Sequence, residues 1–109
     1  MSATEPSITD PFSIRLVADE SGTRLVLAGA LGVAEAAELH RTALDALAHG
    51  GNVALEWSGV ESIDTAVAQL LIALAAALRN DERRLDLPAP PAGVEAFLHR
   101  TALRELLFA

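Results

Sequence analysis

Thirteen consecutive positions, 66–78, hold a single polar residue, Gln69. A helix over Thr65–Arg79 is therefore apolar on nearly every side. Such a helix has to be wrapped by the rest of its chain or lie under a partner. It is no membrane span, because its longest unbroken apolar stretch, Leu70–Leu78, falls well short of the ~20 residues a bilayer requires. The chain must then build a core around it. At 109 residues it makes one domain, large enough for one core without disulfide or metal staples. Apolar residues make up 51% and aromatics only 4%: Phe12, Trp57, Phe97 and Phe108. The core is expected to be aliphatic.

The flanking segments supply the wrapping. Phe12–Ala18 alternates, with Phe12, Ile14, Leu16 and Ala18 on one side, the period of a half-buried strand. Asp19–Gly22 turns the chain into a second strand, Thr23–Ala28, so the pair reads as a hairpin. Gly29-Ala30-Leu31-Gly32 breaks the pattern. Val33–His49 then reads as a helix with a stripe of Val33, Ala36, Ala37, Leu39, Ala43, Leu44 and Leu47, closed by Gly50-Gly51-Asn52. Val53–Trp57 predicts a third strand and Ser58–Asp64 a loop. After the apolar helix, Arg83–Leu87 predicts a fourth strand. Pro88, Pro90 and Pro91 stop it. A last helix runs over roughly 91–107, with Thr101 marking a break. The order is β-β-α-β-α-β-α: an α/β single domain with a four-stranded mixed sheet and helices mainly on one face. Residues 1–11 are expected to be a flexible tail and 12–109 the domain.

Charge narrows the function. Fifteen acidic residues against eight basic ones give a net charge of −7, and all eight basic residues are Arg. This balance argues against nucleic acid and against an anionic membrane surface. Without Lys there is no Schiff-base or P-loop chemistry. Without Cys there is no disulfide, thiolate metal site or thiol nucleophile. The segment 1–11 has no basic start or apolar run of a secretory leader, so a cytoplasmic protein is expected.

The chemically informative stretch is Leu55-Glu56-Trp57-Ser58-Gly59-Val60-Glu61-Ser62-Ile63-Asp64-Thr65-Ala66. A strand ends, a glycine-containing segment follows, and a hydroxyl stands at the mouth of the apolar helix. The first amides of a helix lack internal partners and carry partial positive charge, which suits a phosphate. Thr65 is thus a physically sensible phosphorylation site. Asp64 or Thr65 also serves an ordinary helix cap. Other candidates carry less. His40 and His49 lie about 180° apart on one helix, and with His99 they read as surface or packing residues, with no metal site. Glu56, Glu61 and Asp64 share one segment without a cleft or nucleophile beside them. Gly50-Gly51-Asn52 is a helix stop. Arg83-Arg84 reads as a charged helix exit and strand edge. Trp57 either plugs one end of the core or stands out as a docking aromatic.

These residues resemble the STAS family, the anti-sigma factor antagonists. The resemblance rests on Trp57-Ser58-Gly59-Val60 and on Ile63-Asp64-Thr65-Ala66-Val67-Ala68-Gln69, and it extends in order from Phe12 to Leu107, with Arg104-Glu105-Leu106-Leu107 similar to the family's closing segment. It implies that Thr65 is the phosphoacceptor. It also implies a partner surface of Asp64, Thr65, Ala66, Val67, Ala68, Gly29, Ala30, Leu31, Ser58 and Gly59. The chain departs from the usual pattern at several positions. Thr65 replaces serine, Ala66 the second hydroxyl, and Val67 and Gln69 two glycines, while Gly29–Gly32 lacks the family's carboxylates. A Thr in this place resembles a divergent group that includes a small subunit of a phospholipid-transport ABC complex and proteins of chemotaxis and two-component systems.

The resemblance implies a non-enzymatic interaction module without cofactor or metal. Its partner would be a histidine-kinase-like serine/threonine kinase or anti-sigma factor, released when Thr65 is phosphorylated. The alternative is an accessory subunit of a transporter or signalling complex with no phospho-switch. Weak self-association through the apolar helix 65–79 is a further expectation.

Overall fold

The computed structural model describes residues 13–20 and 22–108. The expected tail over 1–11, and Phe12 with it, lie outside the described residues. Period-two sequence and the turn at Asp19–Gly22 give an antiparallel hairpin, β1 (Ile14–Asp19) and β2 (Gly22–Leu31), with Ile14 opposite Leu27 and Asp19 opposite Gly22. Helix α1 (Val33–His49) crosses to β3 (Val53–Ile63), which pairs with β2 in parallel. Helix α2 (Thr65–Asn80) crosses to β4 (Leu85–Asp86), again parallel. The sheet runs β1-β2-β3-β4, and the chain ends in α3 (Ala92–Arg100) and α4 (Arg104–Leu107). The α/β class, the mixed four-stranded sheet and the order of elements are as expected.

One sheet face feeds the core. Leu25, Leu27, Val53 and Leu55 project into a cluster with Leu39, Leu71, Leu78, Val94, Leu98 and Leu107. The other face carries charge: the Arg24 guanidinium donates to Glu56 Oε1 at 3.0 Å across β2 and β3. Val26, opposite Arg15 and Glu56, is 4% exposed on that face, the situation in which long charged side chains lay their stems over an apolar neighbour.

Several boundaries differ from the sequence reading, each for a local reason. Strand β3 does not stop at Trp57, and Ser58–Asp64 is no loop: the strand runs to Ile63, and β2 continues through Gly29 and Ala30 to Leu31. Between the pairs Leu27–Trp57 and Leu31–Ile63 the register shifts twice. Strand β3 thereby carries two more residues than β2, and bulges of this kind break the alternation that marks a strand. Gly59 takes φ +73° at the first shift, a conformation a side chain resists. Strand β4 is shorter than the expected Arg83–Leu87. The edge of β3 beyond it is covered by the proline segment, where the Trp57 indole N–H donates to Pro88 O at 3.0 Å, and by α3. There an added Cβ on Gly93 would lie 2.7 Å from Glu61 O. Trp57 is half-buried, packed on the core. The closing helix is two helices, separated where Ala102 adopts φ +61° just after Thr101.

The stripe assigned to α1 also changes. Leu39, Ala43 and Ala46 enter the core, whereas Val33 is 73% and Leu44 52% exposed. Helix α2 buries Val67, Ala68, Leu71, Leu74, Ala75 and Leu78 within its own domain. Folding thus takes most of its apolar surface, and Ala73 with the half-buried Leu70 and Ile72 is what is left for the self-association expected through 65–79.

Candidate functional site

Both βα junctions open on the same rim, at the carboxyl ends of the parallel strands β2 and β3. Register puts Gly29 beside Val60, Ala30 beside Ser62 and Leu31 beside Ile63. The Asp64 N–H then donates to Leu31 O at 3.1 Å, tying the start of α2 to the end of β2. Gly32 is the cap residue of α1 and Asp64 that of α2. The extra residues of β3 carry Ser58 and Gly59 to this side of the bulge, where both are exposed.

Each helix start is closed by its own carboxylate. Asp64 Oδ1 accepts from the Val67 N–H at 3.1 Å, and Glu35 Oε1 accepts from the Gly32 N–H at 2.8 Å. Glycine offers no side chain in return, so at α1 only half of a capping box exists. With Glu35, Asp64 and the exposed Glu61, the rim carries carboxylates, and the first Arg along α1 is Arg41. An acidic setting does not favour a free anion. The start of α2 also presents a side-chain hydroxyl.

Thr65 is the residue so placed. It occupies the first position of α2, it is exposed, and its hydroxyl bonds to none of the described residues. The cap is Asp64, so Thr65 is left over from capping. Of the other expected contact residues, Ala30, Ser58 and Gly59 are exposed, and Gly29, Asp64 and Ala66 are half-buried. Leu31, Val67 and Ala68 are at most 1% exposed. They shape the rim from inside and present no surface to a partner. Val33, by contrast, is 73% exposed on the same rim. It follows the α1 cap directly, and by spacing alone it matches the helical stripe of the core. Glu61 and Ser62, exposed on the same strand end, were hidden by the supposed loop.

Among the described residues no group of three His, Asp or Glu side chains could hold a metal, and no helix is long and apolar enough to cross a membrane. The groove lined by Arg24, Glu56, Trp57 and Pro88–Pro91 lies on the charged sheet face, away from Thr65.

Comparison with known proteins bears on the family and the fold. The family model described as "Mlab, STAS domain" matches residues 14–108, nearly the whole chain. The chain belongs to the STAS family. The STAS fold also appears in solved structures. A Thermotoga maritima protein described as an anti-sigma factor antagonist is 20% identical with a TM-score of 0.68, over 86% of this chain and 82% of that one. A structure described as Mglu is 18% identical with a TM-score of 0.64, over 75% of this chain. The STAS domain corresponds to only 21% of that longer Mglu chain. At these identities the likeness is one of fold. No curated protein matches the chain.

Proposed function

We propose that this STAS domain is a non-enzymatic, cytoplasmic regulatory module that docks a protein partner on the rim around Thr65 and releases it when Thr65 is phosphorylated. The observation that carries this reading is the exposed Thr65 hydroxyl, unbonded among the described residues, at the start of a buried helix already capped by Asp64. A hydroxyl with no structural duty can be modified without unfolding the domain. Val33, 73% exposed, supplies an apolar anchor on the same rim, and Ala30, Ser58, Gly59, Glu61 and Ser62 frame it. Phosphate adds nearly two negative charges beside Asp64 and Glu61. A partner surface matched to the unmodified rim then meets charge where it had a neutral contact. By family likeness the partner is a histidine-kinase-like serine/threonine kinase or anti-sigma factor.

The test is a binding titration of wild type, Thr65→Val and Thr65→Glu against such a kinase from the same host, with circular dichroism on each variant. Wild type and Thr65→Val should bind, while folded Thr65→Glu should not. Equal binding by Thr65→Glu refutes the switch.

A second reading is favoured by the description of the matching family and by the residues after Thr65. Gln69, exposed where the family pattern has a glycine, puts a side chain in the way of a partner's backbone, while Val67 replaces the other glycine inside the core. Here the domain is an accessory subunit of a phospholipid-transport complex or of a chemotaxis or two-component assembly, and the rim is a permanent contact. Mass spectrometry of the protein isolated from its host separates the two, since only the switch places phosphate on Thr65.

A further inference from the structure

Helix α1 carries a second apolar stripe, distinct from the one it buries. Leu39, Ala43 and Ala46 face the core. Val33 and Leu44, 73% and 52% exposed, lie about 20° apart around the axis, with Ala37 and His40 exposed between them. Steps of four, three and four residues along 33, 37, 40 and 44 are the seam spacing of a coiled coil. Among the described residues the only other exposed large hydrophobic residue is Leu106. On the flank of the seam, neither the Arg41 guanidinium nor the Glu38 carboxylate has an ion-pair partner among the described residues.

We infer that this seam docks a second copy of the chain, α1 packing antiparallel on α1 about a two-fold axis. In one register the seam is self-complementary. Val33 meets Leu44 of the second copy, and Ala37 meets its His40, so the larger ring falls opposite the smallest side chain. The two-fold repeats both pairs, as a symmetric interface must. The same register sets Arg41 about 3 Å along the axis from Glu38 of the second copy, and the two-fold makes that opposite-charge pair twice. No other exposed partner has to be invoked for either charge. The seam spans about 16 Å from Val33 to Leu44, well below the ~800 Å² per partner of a stable complex. The dimer is therefore weak and forms between about 10 µM and about 1 mM. This surface is separate from the Thr65 switch except at Val33, which belongs to both, so a partner on the rim and a second copy on α1 compete.

Sedimentation velocity across that concentration range tests the inference on the full chain. The wild-type sedimentation coefficient should rise with concentration. Leu44→Glu, an exposed substitution one end of the helix away from the rim, should stay monomeric with unchanged circular dichroism. Arg41→Glu should weaken association several-fold, and the double exchange Arg41→Glu with Glu38→Arg should restore it. Thr65→Glu should associate as wild type, which separates this surface from the docking rim. A wild type that remains monomeric to about 1 mM overturns the inference, as does Leu44→Glu associating like wild type or a double exchange that fails to restore association.

Discussion

Replacing Arg83 with Met should cost about 2–4 kcal/mol of stability. Arg83 lies in the link between α2 and β4, yet its guanidinium closes the far end of α1. Nε donates to Gly51 O at 2.7 Å, Nη1 to Leu47 O at 3.1 Å and Nη2 to Ala46 O at 3.4 Å. Helix α1 ends at His49, so Ala46 and Leu47 are among its last four carbonyls, which lack an i+4 amide donor within the helix; Leu47 O also accepts from the Gly50 N–H, at 3.4 Å. The side chain is 13% exposed, and little water can replace it. Hydrogen bonds from a charged donor contribute roughly 1.5–3 kcal/mol. A cation at a partly buried helix C-terminus adds up to ~2 kcal/mol. The Asp81 contact at 3.3 Å involves a carboxylate that is 71% exposed and adds little. These contributions overlap, hence a total below their sum. Met keeps the aliphatic stem and removes only the head. Urea denaturation followed by circular dichroism reads the loss, and the melting temperature should fall by about 10–20 °C for a domain of this size. Arg83→Lys should fall between, keeping the charge but not the fork. If Arg83→Met stays within about 0.5 kcal/mol of wild type, the capping argument is wrong.

Three further outcomes follow from the structure. Gly93→Ala should destabilise by about 1–2 kcal/mol in the same assay: alanine gains up to ~1 kcal/mol of helix propensity, but a Cβ 2.7 Å from Glu61 O forces α3 off β3, which costs more. Greater stability in this variant would mean that α3 is not seated as described. Asp64→Ala should lose about 1 kcal/mol with the α2 cap, while Thr65→Ala should change denaturation by less than about 0.5 kcal/mol; the reverse order would exchange their assigned roles. Val33→Asp should melt like wild type and bind the partner kinase at least tenfold more weakly in calorimetry, whereas unchanged affinity would remove Val33 from the docking rim.

The parts of this molecule that the sequence discloses are those governed by local periodicity. The hairpin, α1, and α2 from Thr65 onward follow from period-two and period-3.6 patterns and from glycine stops. The pattern of β3 breaks early because its bulges leave Gly59 and Glu61 where alternation from Val53, Leu55 and Trp57 would call for apolar residues. Its true partner signal, Leu31 beside Ile63, spans 32 positions. On α1 an apolar stripe is broader than the core can use, and packing selects Leu39, Ala43 and the inconspicuous Ala46 over Val33 and Leu44. Arg83 shows no local sign of its role, since the carbonyls it holds are 32 to 37 residues away. Asp64 and Thr65 were legible as a pair. Folding divides them, giving Asp64 the cap and leaving the Thr65 hydroxyl exposed.

A calorimetric titration with a histidine-kinase-like serine/threonine kinase of the same host, before and after that kinase has acted on the domain, probes the docking rim most directly. Binding to the unmodified domain should saturate, phosphate should appear on Thr65 alone, and the folded phosphorylated form should no longer bind. Undiminished binding by the form bearing phosphate on Thr65, or a domain that carries phosphate elsewhere, would contradict it.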